Sequence, residues 1–171
     1  MRDELETPRL LLRRWRPDDL DTLARWHVDP ELMRYMSKPS FTREEMEADL
    51  RRFERHWDEH GFGLWAAEEK ASGELVGRAG LAYHRVWPGD PEVGWLIDRP
   101  WQERGLATEA GAACIEYAFG ELGFERVVSI CTAENAASRR VMEKLGFRFW
   151  QDFYDPKHDL KLLLHARRLA N

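Results

Sequence analysis

The sequence predicts an α/β fold: a single domain whose mixed, mostly antiparallel sheet has helices on both faces. Two observations support this prediction. Residues 62–69 and 74–84 alternate between apolar and polar side chains and are joined by Ala71-Ser72-Gly73, which indicates a β-hairpin. Further along, two strand-like runs flank a helical run that follows Gly105, and such a strand–helix–strand unit favours a mixed sheet over a purely antiparallel one.

The predicted elements follow the order β-α-α-β-β-β-α-β-α-β-β. Thr42 and Glu45 have the spacing of a capping box, which begins a long amphipathic helix that Gly61 ends. Asn135 is placed to cap the last helix, and Gly146 to end it. The other expected segments are a strand at 10–14, a helix at 17–28, a helical turn at 30–35, a turn at 87–91, a strand at 92–98, a helix after Gly105, and strands at 127–132, 147–153 and 160–168.

Length, composition and charge restrict the class of protein. A chain of 171 residues is expected to form one domain over 1–171 and to bury a substantial core. A net charge of −5 is unfavourable for a nucleic-acid partner, which needs a basic face. No run approaches the roughly 20 apolar residues that span a bilayer, and the charged N-terminus does not have the pattern of a signal peptide. We therefore expect a cytoplasmic protein without a membrane partner, either a monomer or a homodimer.

The cysteines and histidines do not predict a metal site. Cys114 and Cys131 lack metal-ligand spacing and are expected to be buried thiols in a reducing compartment. His56 and His60 have the H-x-x-E-H spacing of one class of zinc peptidases. The helix ends directly afterwards at Gly61 and a third ligand is not evident, so we expect no metal.

The most informative stretch is 92–109. It predicts a strand, then a basic turn at Arg104-Gly105, then a helix beginning near Leu106. A glycine turn that leads into a helix directs several free backbone N–H groups and the positive end of the helix dipole at one point. Such a point binds anions, and phosphate is the usual ligand. The alternative is a plain strand-to-helix turn.

Two segments together resemble a known family. Gln102-x-x-Gly105-x-Ala107 matches the pyrophosphate signature of the GNAT superfamily of N-acyltransferases, and Asn135-Ala-Ala-Ser138 followed by Glu143-Lys-Leu-Gly-Phe147 resembles its second cofactor segment. Thr7-Pro-Arg-Leu-Leu-Leu-Arg13 is similar to the first strand of the branch that contains ribosomal-protein N-terminal acetyltransferases. The resemblance covers nearly the whole chain, but only 92–147 is motif-specific.

This resemblance implies acetyl-CoA as the co-substrate. The backbone of 102–108 would donate to the pyrophosphate, with charge from Arg104, and Gly105 would let the phosphates approach. The pantetheine would pair with the preceding strand, as an added strand would. Asn135 caps its helix and would also contact the cofactor. The implied cofactor-binding residues are Trp95, Leu96, Ile97, Gln102, Glu103, Arg104, Gly105, Leu106, Ala107, Thr108, Asn135 and Ser138.

The implied catalytic residues are Glu92 and Ser138. Acetyl transfer to an amine requires loss of a proton from nitrogen, and burial of Glu92 in a strand would raise its pKa toward that of a useful base. An exposed carboxylate at the strand edge, with the proton leaving through water, is the alternative. Many family members carry a tyrosine seven residues after the asparagine, but Met142 stands there and cannot donate a proton. Ser138 is the substitute acid that the ribosomal-protein branch suggests; an ordinary first-turn serine, or no acid, are the other interpretations.

The function implied by the resemblance is direct acetyl transfer from acetyl-CoA to a primary amine, on a protein N-terminus or a small molecule. Neither cysteine lies in a nucleophile motif, which favours attack without an acyl-enzyme. The alternative is a non-catalytic acyl-CoA-binding sensor or docking domain, which would retain 102–108 without the base at Glu92. The segments expected to face the acceptor, 30–45, 84–91 and 153–160, have no recognisable pattern.

Overall fold

The computed structural model describes residues 2–35 and 42–169. Within them, no helix combines the length and apolar character needed to cross a membrane. The α-helices are α1 (Leu20–His27), α2 (Arg43–His60), α3 (Leu106–Gly120) and α4 (Ala136–Lys144), with 3-10 turns at Pro17–Asp19 and Arg99–Trp101. The strands are β1 (Glu4–Glu6), β2 (Leu10–Arg13), β3 (Leu64–Glu69), β4 (Leu75–His84), β5 (Trp87–Ile97), β6 (Arg126–Thr132), β7 (Arg148–Asp155) and β8 (Leu160–Arg168).

The strands form one sheet in the order β1-β2-β3-β4-β5-β6-β8-β7. Every neighbouring pair is antiparallel except β5 with β6, which are parallel. On one face, α1 and α2 pack around Phe53 and Ala66. On the other, α3 and α4 pack around Trp65, Ala110 and Cys114. The expected α/β class, mostly antiparallel sheet and helices on both faces are confirmed.

Several element boundaries differ from the sequence prediction. The short strand β1 precedes the expected first strand and pairs with β2. Residues 87–91, expected as a turn because of their two prolines, begin β5. Pro91 fits there because its nitrogen points away from β4, so no hydrogen bond of that ladder is lost. The helix expected at 17–28 starts as a 3-10 turn, and β7 runs on to Asp155.

Both cysteines lie in the core. Cys114 and Cys131 are buried free thiols, as expected. Burial raises the pKa of Cys114 to about 12 and that of Cys131 to about 11. Both therefore stay protonated near neutral pH and act as small apolar groups.

A buried ion-pair network joins the start of α1 to the sheet. The Arg13 side chain on β2 donates to both carboxylate oxygens of Asp19 at 2.8 and 2.9 Å and to Glu68 on β3 at 2.7 Å. Asp19 also accepts the backbone N–H of Arg16 at 2.7 Å. The hydrogen bonds that Arg13 donates to Asp19 raise the pKa of Arg13. Burial opposes this shift, and the hydrogen bond to Glu68 adds to it. The network fixes the chain where it leaves the sheet for the α1–α2 face.

Replacing Arg13 by Met is expected to lower the free energy of unfolding by about 3–5 kcal/mol, since Asp19 and Glu68 lose their counter-charge. Urea denaturation measures this loss. Arg2→Met is the control, because Arg2 and Glu121 form an exposed pair whose removal changes stability by about 1 kcal/mol or less. Equal losses in both variants would contradict a structural role for the Arg13 network.

Candidate active site

The two parallel strands at the centre of the sheet touch at one register position. Glu92 of β5 pairs with Val128 of β6, and beyond this pair β5 continues to Ile97 and β6 to Thr132 without pairing with each other. The strands therefore enclose a V-shaped gap. Glu92 lies at its closed end, and Ile97 and Thr132 lie at its open end.

The β5 backbone presents hydrogen-bonding groups to this gap. The N–H of Asp98 donates to Val76 at 2.8 Å, on the β4 side. Because backbone groups in a strand alternate in direction, those of Leu96 also point to β4, while those of Trp95 and Ile97 point into the gap. The Ile97 carbonyl accepts the side-chain N–H of Gln102 at 2.9 Å. The N–H groups of Trp95 and Ile97 are thus left facing the gap, and Leu96 contributes a side chain to the α1–α2 face.

The two motif segments meet at the open end of the gap. Residues 102–108 follow β5, and Asn135 and Ser138 follow β6. Since β5 and β6 are parallel, their carboxyl ends lie at the same edge of the sheet. The structure therefore brings the two segments together, while Glu92 lies about four strand residues deeper, a distance of about 13 Å.

The turn at 102–108 forms a cluster of main-chain donors. Glu103 and Gly105 have φ angles of 61° and 79°, in the left-handed region, and α3 begins at Leu106. In the part of the chain that the structure describes, the backbone N–H groups of 103–108 have no acceptor. A Cβ at Gly105 would have only the Arg9 guanidinium within 4 Å, at 3.6 Å, so the space beside the turn is open. These are the features of a helix N-terminal anion site.

Residues near the N-terminus hold this turn in place. Arg9 donates to the Arg104 carbonyl at 2.8 Å and to Glu109, in the first turn of α3, at 2.7 Å. The Thr7 hydroxyl donates to Glu109 at 2.6 Å. Although burial opposes it, hydrogen bonds from Thr7 and Arg9 lower the pKa of Glu109. Sequence reasoning gave Arg9 and Glu109 no role, because they are 100 residues apart and the only signal was the resemblance of the first strand.

The segment after β6 has the expected cap. The Asn135 side chain accepts the backbone N–H of Ser138 at 3.0 Å. Ser138 is half-buried in the first turn of α4. Met142, at the position where a tyrosine is common in the resembled family, is fully buried in the core. This position therefore supplies packing and no proton donor.

Glu92 lies well inside β5, and its half-buried side chain projects to the α1–α2 face. The expectation that it opens the strand is wrong, because β5 begins at Trp87. Burial raises the pKa of Glu92 to about 8, against the opposing influence of the Ile130 backbone N–H and the charge of Arg78. A carboxyl group with this pKa can accept a proton at neutral pH and hold it.

A cleft of about 260 Å³ opens next to the end of β6. The Thr132 hydroxyl in it is buried and has no partner among the residues that the structure describes. The expected acceptor segment 30–45 reaches this cleft through Arg34 and Tyr35, while its residues 36–41 lie outside the described residues. The lining residues are Arg34, Tyr35, Thr132, Glu134 and Leu160.

The other two expected acceptor segments, 84–91 and 153–160, are tied to each other. Arg85 pairs with Asp155 at 2.5 Å, and His158 contacts the same carboxylate at 2.8 Å. Hydrogen bonds from Arg85 and His158 lower the pKa of Asp155 strongly. The hairpin tip between β4 and β5 is thereby fixed against the turn between β7 and β8.

The histidine pair noted in the sequence is engaged within the chain. His56 Nδ1 lies 2.8 Å from the Phe62 carbonyl, and its Nε2 accepts the backbone N–H of Tyr83 at 3.1 Å. Both ring nitrogens are thus used, and burial lowers the pKa of His56. The ring connects the end of α2 to β4.

An open sheet whose central strands diverge toward a cluster of main-chain donors defines an acyltransferase of the GNAT type. Residues 9–148 match the family model "Acetyltransferase (GNAT) domain", so the chain belongs to this family of N-acetyltransferases. It is 29% identical over 144 residues to the uncharacterized N-acetyltransferase YnaD of Bacillus subtilis, a match that covers 84% of the chain and 82% of that protein.

Two solved structures share the fold. A GNAT-family acetyltransferase from Bacillus anthracis superposes with a TM-score of 0.83 at 24% identity, with coverage of 96% of this chain and 98% of that one. RimL, a ribosomal L7/L12 α-N-protein acetyltransferase in complex with coenzyme A, superposes with a TM-score of 0.81 at 16% identity, covering 97% and 98%.

The raised pKa of Glu92 predicts a pH-dependent stability. The folded-state pKa exceeds that of the unfolded chain, so the folded state holds an extra proton between the two values, and stability falls as pH rises from about 5 to about 8. Urea denaturation of the wild type and of Glu92→Gln over this range measures the difference. The wild type should lose stability relative to the variant as pH rises; a difference independent of pH would show an ordinary pKa at Glu92.

Proposed function

We propose that this GNAT protein uses acetyl-CoA and transfers the acetyl group directly to a primary amine, without an acyl-enzyme. The observation that supports this most strongly is the gap between β5 and β6, which has main-chain donors at its open end and Glu92 at its closed end. We further propose that the chain acts as one domain in the cytoplasm. The acceptor is a protein N-terminus or a small-molecule amine.

The residues along the gap fit acetyl-CoA. The free N–H groups of 103–108, at the positive end of α3, suit a pyrophosphate, and Arg104 adds a positive charge. The N–H groups of Trp95 and Ile97 suit the amides of an extended pantetheine arm. Asn135 and Ser138 lie at the open end of the gap, beside the pyrophosphate site. The RimL structure, which shares this fold, is a complex with coenzyme A, and this supports coenzyme A as the kind of ligand.

Glu92 acts as the general base. Its carboxylate accepts a proton from the acceptor ammonium, and the amine nitrogen then attacks the thioester carbonyl carbon. A new C–N bond forms, the C–S bond breaks, and the second amine proton passes to the sulfur of the leaving thiolate through Ser138 or water. Backbone N–H groups that face the gap stabilise the developing negative charge on the carbonyl oxygen.

Replacing Gly105 by Trp is expected to abolish binding of coenzyme A, since the indole would occupy the open space beside the donor turn. Isothermal calorimetry with coenzyme A measures this. Gly73→Trp is the matched control: Gly73 also has a left-handed φ, 71°, and a Cβ added there would have no atom within 4 Å, but it lies in the β3–β4 turn. Both variants carry similar backbone strain, so equal affinity in the two would argue against a cofactor site at 102–108.

Replacing Glu92 by Gln is expected to lower turnover by about 10²-fold with little change in coenzyme A affinity, because the amide cannot accept the proton. Release of free thiol from acetyl-CoA, measured against a panel of amines, reports turnover. Glu116→Gln, an exposed position on α3, serves as the control. Unchanged turnover in Glu92→Gln would assign the proton to water, and coenzyme A binding without thiol release from any amine would favour a sensor.

A further inference from the structure

Arg78 is a half-buried arginine on β4 whose side chain has no hydrogen bond and no ion pair in the described part of the chain. Its guanidinium carbon lies 5.8 Å from the ring centre of Phe53 on α2. Burial lowers the pKa of Arg78, and so does the charge of Arg52, while Asp49 and Glu92 act in the opposite direction. A partly buried guanidinium gains stability when it contacts a group of opposite charge. Arg78 has none in contact.

The charged groups around Arg78 are engaged elsewhere or lie out of contact with it. Asp49 is already paired with Arg52 at 3.1 Å on α2. His27 on α1 has its pKa lowered by burial, and the charge of Arg78 adds to this effect, so both favour the neutral imidazole. Asp49 and Glu92 thus influence Arg78 through space, and neither contacts its side chain in the described part of the chain.

A strip of the sheet surface runs from Arg78 to Glu92 along β5. Leu96 is the register partner of Arg78, and Gly94 lies between Leu96 and Glu92 on the same face of the strand. A Cβ at Gly94 would have no atom within 4 Å, so the space above Gly94 is open. The four residue steps from Glu92 to Leu96, the register partner of Arg78, span about 13 Å, and the long side chains of Glu92 and Arg78 shorten the distance between their charged groups. We call this space the Gly94 trough.

We infer that the acceptor is a primary amine that also carries a carboxylate, with its amine at Glu92, its carboxylate at Arg78 and its connecting carbons over Gly94. The inference rests on the proposed function, because it names the acceptor of the same reaction. A guanidinium binds a carboxylate through two parallel N–H···O bonds.

The test compares amino acids with the alkylamines that lack only the carboxylate. A series of α- and ω-amino acids and their decarboxylated counterparts is assayed by thiol release with the wild type, Arg78→Met and Arg78→Lys. The wild type should prefer the carboxylate-bearing member of at least one pair by about 10- to 100-fold in kcat/KM, the range of a hydrogen bond to a charged group. Arg78→Met should remove this preference, and Arg78→Lys should restore part of it.

Two further variants separate binding from folding. Arg52→Met removes the neighbouring exposed charge on α2 and should keep the preference. Gly94→Leu fills the trough and should abolish turnover of the preferred acceptor while coenzyme A affinity stays unchanged. Thermal unfolding of each variant shows whether a loss of activity reflects a loss of structure.

The carboxylate could belong to a free amino acid or to an acidic first residue of a protein. Peptides that begin with Asp are therefore compared with peptides that begin with Ala, and a preference for Asp would indicate a protein acceptor. A wild-type enzyme that prefers the plain alkylamine in every pair, or an Arg78→Met variant that retains the preference, would overturn the inference and leave the proposed function intact. If no amine releases thiol, the proposed function fails instead. Calorimetry of the amino acids with wild type and Arg78→Met then still tests Arg78, and equal affinities would count against it.

Discussion

The divergence of β5 and β6 after their shared position at Glu92 and Val128 is the constraint on which the rest of the site depends. Each strand is hydrogen-bonded on its outer side, β5 to β4 and β6 to β8, while beyond the shared position the two strands do not pair with each other. Backbone groups left without a partner in a protein interior cost about 1–3 kcal/mol each. The gap is therefore suited to an extended, amide-bearing ligand that supplies the missing hydrogen bonds.

The charge balance at the closed end of the gap limits what Glu92 can do. Burial alone would keep a carboxyl group protonated, which makes a strong base that is rarely ionised. The Ile130 N–H and the charge of Arg78 favour the ionised form of Glu92, and the resulting pKa is about 8. A base is most effective when its pKa lies near the working pH, because it is then both ionised and able to hold the proton. The strand geometry and the neighbouring charges thus together set the pKa of Glu92.

Local features of the site were predictable from the sequence. Thr42 and Glu45 form both bonds of the expected capping box, Asn135 caps α4, and Gly105 adopts the left-handed conformation of the turn. Each of these depends on residues within a few positions of one another. The single pairing of β5 with β6, the depth of Glu92 and the Arg9–Glu109 contact depend on how distant segments pack, so spacing along the chain carries no signal for them.

The same distinction explains why the cofactor side of the molecule has a motif and the acceptor side has none. The proposed pyrophosphate site is made of main-chain N–H groups, which require only glycine and small residues at fixed spacing between Gln102 and Thr108. The Gly94 trough combines Arg78 of β4, which lies against Phe53 of α2, with Glu92 and Gly94 of β5, and these residues are far apart in the sequence. Arg78, the residue inferred to bind the acceptor carboxylate, is not part of the donor turn at 102–108. A substitution there would change which amine is preferred and leave the cofactor site intact, so one cofactor site can serve different amines.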